Sequence, residues 1–261
     1  MIVSGIDIGS RSSKCVIIGQ DGTQAKILAS HVLLTTPDSE ETARSVLNLT
    51  LQKIGIALTD LRYIVSTGYG RVNVSIANKT ITEISCHAKG VAWYYPNVKT
   101  ILDIGGQDCK VIACNDGKVT NFIMNDKCAA GTGRYLERIA ALLQVSLENI
   151  GSLSLEGMYT PEVIQSYCAV FAEQDVVSLL WQGKRHCDIL AGACDAVVKR
   201  ISPMITRIGM KNDFSISGGV AKNIGIIKRL EKEWGANAYI SPDPQIIGAI
   251  GAAFFSLEHA R

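Results

Sequence analysis

The sequence predicts an α/β protein built from two duplicated halves, and three observations favour this fold class. Asp7-Ile8-Gly9 recurs as Asp103-Ile104-Gly105, each time at the end of an apolar run. Both copies continue into a β-hairpin, whose turn glycine follows the aspartate by fifteen residues in the first half and by fourteen in the second. Helical apolar spacing dominates the chain beyond the second hairpin. Similarity over a whole supersecondary unit indicates internal duplication rather than two hairpins that are alike by chance.

The first half begins as a run of strands. Asp21-Gly22 is a hairpin signal, and the acidic residues that follow Asp38 mark a helix start. Pro96 ends the last helix of this half. The predicted elements are strands over 3–8, 14–19 and 24–34, a helix over 38–58, a short strand at 64–65 and a helix over 83–95.

The second half repeats the hairpin and is then mostly helical. Pro244 suits the start of a final helix, and two glycines inside that helix, Gly248 and Gly251, indicate close packing. The predicted elements are a hairpin over 99–117, helices over 131–143, 168–180 and 184–208, a strand over 214–217, a helix over 220–233, a strand over 238–240 and a helix over 245–259.

The bulk composition fits one large domain or two of ordinary size. The chain has 261 residues, of which 47% are hydrophobic and 19% charged, so a sizeable core is expected and disorder is not. We expect a first lobe over 1–97, onto which a C-terminal helix over 242–261 packs back, and a second lobe over 98–241. The net charge of +2 gives no electrostatic reason to expect nucleic-acid binding.

The sequence pattern carries no sign of a membrane span or of export. No apolar run approaches the ~18 residues of a membrane helix, and the first residues lack the basic start of a signal peptide. The eight cysteines are therefore expected to be reduced thiols or metal ligands rather than disulfides. These features favour a cytoplasmic protein, and one from an anaerobe.

The two repeated turns offer phosphate and metal chemistry. Each places an aspartate, Asp7 or Asp103, at a strand end, and the glycines that follow let backbone N–H groups approach an anion. Carboxylates suit Mg²⁺, which takes one or two of them together with phosphate oxygens. Two such turns facing each other across a cleft would clamp a triphosphate. The candidate nucleotide-binding residues of these turns are Gly9, Ser10, Arg11, Ser12, Ser13, Lys14, Gly105 and Gly106.

Separate roles are predicted for several of these side chains. Lys14 follows the first turn and can reach a phosphate, while Gln107 can orient an attacking water. Asp103 can serve either as a base or as a metal ligand. The turn Gly218-Gly219, which enters a helix, suits the nucleoside end of a nucleotide. Lys222 just beyond it is expected either to hold the ribose or base or to belong to a helix cap.

Two cysteines precede helical runs. Cys128 is followed by a turn, Gly131, Thr132 and Gly133, which we count among the candidate cofactor-binding residues, and Cys168 opens a second helix. A helix N-terminus favours a thiolate because its N–H groups and dipole are positive. Two such thiols are half of a four-thiolate site, and a symmetric dimer would supply the other half. The alternative is that both are small buried hydrophobes.

The remaining thiols, histidines and tryptophan have simpler interpretations. Cys109 and Cys114 lie in a strand, where a buried or half-buried thiol is favoured over a metal ligand. Cys187 and Cys194 are seven residues apart on one helix face, which is the spacing of core residues. Isolated histidines, His87 among them, are expected to be surface residues or satisfied polar groups. Trp181 is expected in the core.

The arrangement resembles the acetate kinase, sugar kinase, Hsp70 and actin superfamily, in which two duplicated ribonuclease-H-like lobes with mixed sheets close over ATP. Within it, the sequence is similar to the ATPase activators of 2-hydroxyacyl-CoA dehydratases and to the ATP-binding subunits of benzoyl-CoA reductase. The segments that carry this resemblance are 5–16, 67–71, 103–108, 125–133 and 217–223.

The resemblance implies a homodimer with one [4Fe–4S] cluster on its two-fold axis, held by Cys128 and Cys168 of each subunit. It also implies that ATP hydrolysis with Mg²⁺ drives an electron to a partner, which would be a 2-hydroxyacyl-CoA dehydratase, a benzoyl-CoA reductase-like enzyme or another iron–sulfur enzyme. A ferredoxin or flavodoxin would be the donor. No membrane or nucleic-acid partner is implied.

Two other classes of function remain open at this point. A small-molecule kinase of the same superfamily would use both aspartate turns, but it would leave Cys128 and Cys168 without a purpose. A nucleotide-dependent regulator would bind ATP without turning it over.

Overall fold

The computed structural model of the chain describes residues 1–125, 130–157, 162–211 and 213–261. The chain divides into two compact units. Unit 1 comprises Met1–Val98, Cys114–Thr120 and Ser241–Arg261, and unit 2 comprises Lys99–Ala113 and Asn121–Ile240.

Unit 1 contains a five-stranded mixed sheet in the order β3-β2-β1-β4-β5, with β1 antiparallel to β2 and parallel to β4. Ile6 and Ile8 on one face of β1 pack with Val46 and Leu47 of α1, and the other face meets α8. Its elements are β1 Ile2–Ile8, β2 Ser12–Asp21, β3 Gln24–Leu34, α1 Ser39–Gln52, β4 Ile64–Thr67, β5 Lys79–Thr80, α2 Glu83–Tyr94 and α8 Ile247–His259.

Glycines allow α8 to pack unusually close to its neighbours. A Cβ at Gly251 would lie 1.8 Å from the carbonyl oxygen of Cys86 in α2, and a Cβ at Gly5 would lie 2.2 Å from the carbonyl oxygen of Ala249. No larger residue fits at either position without moving backbone. The close packing predicted from glycines inside the last helix is confirmed.

Unit 2 is built on a four-stranded sheet in the order β8-β7-β6-β9, with β6 antiparallel to β7 and parallel to β9. Its first three strands therefore repeat β1, β2 and β3, and β9 repeats β4. One large apolar core joins this sheet to the helices. The elements are β6 Thr100–Ile104, β7 Cys109–Asn115, β8 Lys118–Asn125, α3 Gly133–Leu143, α4 Ile150–Leu155, α5 Ala169–Trp181, α6 His186–Ile208, β9 Phe214–Ser217 and α7 Ile224–Trp234.

Several predicted boundaries are wrong, for local reasons. Helix α1 ends at Gln52 rather than near residue 58, ahead of Gly55, whose φ is +66°. The helix predicted over 220–233 is a short 3₁₀ turn followed by α7, because the Asn223 side chain caps α7 by accepting from the N–H of Ile226. The strand predicted over 238–240 is a single bridge at Tyr239.

Trp181 is not in the core. It is the last residue of α5, and it is 88% exposed. Among the residues that the structure describes, no helix is long and apolar enough to span a membrane.

Candidate active site

The first aspartate turn joins β1 to β2 in unit 1. Asp7 faces Lys14 across the antiparallel pair, and the Lys14 Nζ lies 3.3 Å from the Asp7 Oδ2, with both side chains largely buried. Thr35, just after β3, holds the turn, because its hydroxyl donates to the carbonyl oxygen of Gly9 at 2.7 Å and lies 2.8 Å from the Ser13 hydroxyl. The turn is thus hydrogen-bonded to a neighbouring segment and lies beside a buried carboxylate.

The exposed part of this turn holds the other predicted nucleotide-binding residues. Ser10 and Arg11 are exposed, and Ser12 is half-buried. The Gln245 side-chain amide donates to the Ser12 hydroxyl at 3.3 Å. The predicted residues of the first turn therefore comprise the loop 9–11 and the first residues of β2.

The second aspartate turn, in unit 2, repeats this geometry. Asp103 faces Lys110 across β6 and β7, and the Lys110 Nζ lies 3.3 Å from the Asp103 Oδ2. The same ammonium lies 2.9 Å from the Asp108 Oδ2, and the Ser217 hydroxyl donates to the Asp103 Oδ1 at 3.3 Å. Asp103 is therefore oriented through both oxygens. Gln107, at the tip of the turn, is exposed.

The turn at the start of α3 is hydrogen-bonded to the second aspartate turn. The N–H of Gly133 donates to the carbonyl oxygen of Gly105 at 2.9 Å, and the N–H of Arg134 donates to that of Gly106 at 2.8 Å. Thr132 is the N-cap residue of α3 and is fully buried. The candidate residues at 105–106 and 131–133 are thus neighbours in space, which sequence spacing alone does not indicate.

Each aspartate is also backed by a glycine at the end of a parallel strand. Asp7 is in register with Thr67 and Asp103 with Ser217, and the next residue is glycine in both cases. Gly68 and Gly218 both have φ +86°. A Cβ on Gly68 would lie 2.4 Å from the Asp7 Oδ1, and one on Gly218 would lie 2.7 Å from the Asp103 Oδ1. Only glycine combines this backbone conformation with this close approach.

Residues beyond Gly218 form the predicted nucleoside turn. Gly219–Lys222 is a 3₁₀ turn, and Lys222 is exposed. The neighbouring Asn223 caps α7, whereas the role of Lys222 stays a prediction.

Sequence reasoning missed three residues of these turns. Lys110 follows Asp103 by seven residues, as Lys14 follows Asp7, and this equal spacing is the signal that identifies it. Gly68 is the counterpart of Gly218. His87 is buried, and the position of a Cβ on Gly248 is 3.0 Å from both the His87 Nε2 and the Asp7 Oδ2, so this histidine lies beside the first turn. No sequence pattern indicates that His87 lies near the first turn.

Cys168 has the predicted position at a helix start. It is the N-cap residue of α5, its side chain makes no capping hydrogen bond, and it is partly exposed. Cys168 therefore stands at the N-terminal end of α5, which is the positive end of the helix dipole. Cys128, Asp126 and Lys127 lie outside the described residues.

The other thiols named above differ from Cys168. Burial raises the pKa of the Cys109 thiol to about 12, and the neighbouring Asp108 adds to the shift. Burial also raises the pKa of Cys194. Cys114 is buried and Cys187 is partly buried. The predicted core position is confirmed for the three buried thiols, Cys109, Cys114 and Cys194.

Comparison with known proteins identifies the chain. Residues 4–256 match the BadF/BadG/BcrA/BcrD ATPase family. The chain belongs to this family and is an ATPase of it. It is 41% identical to the 2-hydroxyisocaproyl-CoA dehydratase activator of Clostridioides difficile, over 100% of this chain and 97% of that protein. It is also 41% identical to the (R)-2-hydroxyglutaryl-CoA dehydratase activating ATPase of Acidaminococcus fermentans, over 98% of this chain and 97% of that protein.

A solved structure supports the same assignment. The activator of the 2-hydroxyisocaproyl-CoA dehydratase from Clostridium difficile with bound ADPNP has a TM-score of 0.93 and 41% identity, and covers 100% of this chain and 96% of that chain. The predicted fold class, duplicated actin-like ATPase lobes with mixed sheets and flanking helices, is confirmed.

Proposed function

We propose that this protein is an ATP-dependent one-electron activator of a 2-hydroxyacyl-CoA dehydratase or of a related reductase such as a benzoyl-CoA reductase-like enzyme. The proposal rests on two features found in one chain. The first is the pair of equivalent aspartate turns, and the second is Cys168, an N-cap residue whose thiol makes no capping hydrogen bond. The two relatives named above act, by their names, as activators of such dehydratases.

ATP and Mg²⁺ are proposed ligands of the two turns. Asp7 and Asp103 supply hard carboxylate oxygens of the kind that Mg²⁺ takes, and both are buried with a glycine close against the carboxylate. Lys14 forms an ion pair with Asp7 and is slightly exposed, so its ammonium can turn toward a phosphate oxygen. The further proposed contacts are backbone and side-chain groups of Gly9, Ser10, Arg11, Ser12, Ser13, Gly105, Gly106, Gly218, Gly219 and Lys222.

Hydrolysis is assigned to the second turn. Gln107 is exposed at its tip and can orient water, while Asp103 is held below it. The Lys110 ammonium lies beside one oxygen of Asp103, and the Ser217 hydroxyl donates to the other, so the carboxylate is held in place. Its proposed role is that of a base or of a metal ligand.

The proposed cluster ligands are Cys128 and Cys168 from each of two subunits. Cys168 fits this role because its thiol is partly exposed, makes no capping bond and sits at the positive end of α5. A [4Fe–4S] cluster, when bound, supplies reversible one-electron transfer at low potential. A reduced ferredoxin or flavodoxin is the proposed donor.

The second aspartate turn is hydrogen-bonded to the start of α3, and α3 is joined to α5 by an ion pair. Gly133 and Arg134, at the start of α3, donate to the carbonyl oxygens of the second aspartate turn. Arg138 of α3 pairs with Glu173 of α5 at 2.7 Å. A change in the turn on hydrolysis would therefore reach both helices. ATP can shift this equilibrium only through its different affinity for the two states.

The experiment that tests the proposal is anaerobic purification followed by iron and sulfide counts and spectra before and after dithionite. We expect about four irons per dimer and bleaching on reduction. Cys168→Ser should lose the iron and keep nucleotide binding, whereas Cys187→Ser, the matched control on α6, should keep both. An iron-free protein that phosphorylates a small molecule would instead establish the kinase alternative.

A matched variant separates the nucleotide chemistry from the cluster. Asp103→Asn should retain iron and bind ATP but lose hydrolysis. Wild-type hydrolysis rates in Asp103→Asn would remove Asp103 from the proposed site.

A further inference from the structure

Two lysines, one buried and one largely buried, occupy equivalent positions in the two units. Lys14 and Lys110 each follow an aspartate by seven residues and face it across the first antiparallel strand pair. In both cases the Nζ lies 3.3 Å from an aspartate Oδ2. Sequence and geometry together indicate that the two lysines descend from one duplicated position.

Their surroundings have diverged. The Lys14 side chain is 13% exposed and lies beside the exposed first turn, whereas that of Lys110 is 1% exposed. Lys110 also contacts a second carboxylate, that of Asp108, at 2.9 Å. Unit 1 has Ser12 two residues before Lys14, where unit 2 has Asp108 two residues before Lys110, so the second carboxylate belongs to the turn of unit 2.

Asp108 closes the second turn over this lysine. The N–H of Gly105 donates to the carbonyl oxygen of Asp108 at 2.9 Å, and the position of a Cβ on Gly105 is only 2.5 Å from the Asp108 Oδ1. The Lys110 ammonium is thus enclosed beneath the turn, between Asp103 and Asp108. It cannot reach a phosphate without leaving two carboxylates behind, and their mutual repulsion opposes that movement.

We propose that the duplicated lysines have divided their roles, so that Lys14 contacts ATP while Lys110 is a positioning residue. Lys110 holds Asp103 and Asp108 in place beneath the second turn and makes no contact with the nucleotide. Loss of its charge leaves two adjacent carboxylates uncompensated, so Asp103 turns away and the turn over 105–108 loosens. The inference rests on the proposed ATPase site.

The test compares Lys110→Met and Lys14→Met in steady-state ATP hydrolysis by the iron-loaded protein, with Lys228→Met as the control. Lys228 is an exposed lysine of α7 paired with Glu231, so its loss should change nothing. Lys110→Met should lower kcat by about 10²-fold, the loss expected for a misplaced catalytic group, and leave the KM for ATP within about threefold. Lys14→Met should mainly raise the KM. Asp108→Asn added to Lys110→Met should restore part of kcat, because it removes the repulsion.

A raised KM with unchanged kcat in Lys110→Met would make Lys110 a phosphate contact and overturn the inference. If Lys110→Met does not fold, the kinetics of Asp108→Asn alone test the inference. This variant removes the negative charge of one partner of Lys110, and it should lower kcat without changing KM. A raised KM with unchanged kcat in Asp108→Asn would also overturn the inference. A wild-type protein that hydrolyses no ATP would instead contradict the proposed function.

Discussion

Gly218→Ala tests the structural basis of the second aspartate turn. Gly218 has φ +86° and ψ 176°, a conformation that is essentially restricted to glycine. A Cβ there would lie 2.3 Å from the carbonyl oxygen of Ile104 and 2.7 Å from the Asp103 Oδ1. The first contact is with backbone of the central strand β6, so the neighbour has little freedom to move.

The expected cost combines two terms. The backbone conformation costs about 1–3 kcal/mol for a residue with a side chain. Overpacking against fixed backbone adds about 1–3 kcal/mol. The sum of about 2–6 kcal/mol is a large part of the ~5–15 kcal/mol that stabilises a typical protein. At roughly 2–4 °C per kcal/mol, the melting temperature should fall by several degrees or more.

Thermal unfolding and ATP titration, each against a matched control, measure this effect. Gly209→Ala is the control, because Gly209 has φ +75° but nothing lies within 4 Å of its Cβ position. Gly209→Ala should show the conformational cost alone. Gly218→Ala should be less stable than this control, and its affinity for ATP should fall because Gly218 is itself a proposed nucleotide contact. Equal melting temperatures and equal ATP affinities for the two variants would refute this reasoning.

Three further predictions concern packing and thiol chemistry. Gly251→Ala should destabilise unit 1 by at least about 2 kcal/mol in chemical denaturation, since its Cβ would lie 1.8 Å from the carbonyl oxygen of Cys86. Burial raises the pKa of Cys15 to about 11 and those of Cys86 and Cys109 to about 12, from an ordinary value of 9.0. The unfolded chain therefore loses these protons first, so the free energy of unfolding should fall as the pH rises above about 9, and an unchanged value at about pH 10 would contradict this. In the iron-free native protein, iodoacetamide should label Cys168 well before these three thiols, as peptide mass spectrometry would reveal; equal rates would be evidence against their burial.

Features encoded by local chemistry could be predicted from the sequence. The repeated Asp-Ile-Gly turns identified both aspartate sites, because strand ends and glycine turns depend on neighbouring residues. The third strand, Gln24–Leu34, has its predicted bounds. The helix start after Cys168 is also local, since it follows from an apolar helical pattern with a clear beginning.

Features that depend on tertiary contacts could not be predicted in this way. His87 lies near the Asp7 carboxylate where glycines bring α8 close to α2 and β1. Trp181 has an apolar side chain, yet the chain turns away at the end of α5 and leaves it exposed. Lys110 is an intermediate case, since its spacing from Asp103 was visible but its burial was not. The hydrogen bond between Gly133, at the start of α3, and Gly105 joins two segments that share no sequence pattern.

The central claim is that ATP hydrolysis by this protein drives an electron to an acceptor enzyme. The most direct measurement is the activation of a purified 2-hydroxyacyl-CoA dehydratase under anaerobic conditions, with a reductant and either ATP, ADP or ADPNP. We predict dehydratase activity only with ATP and only with the iron-loaded protein, and none with Cys168→Ser. Activation that needs no ATP, or that the iron-free protein supports equally well, would contradict the account.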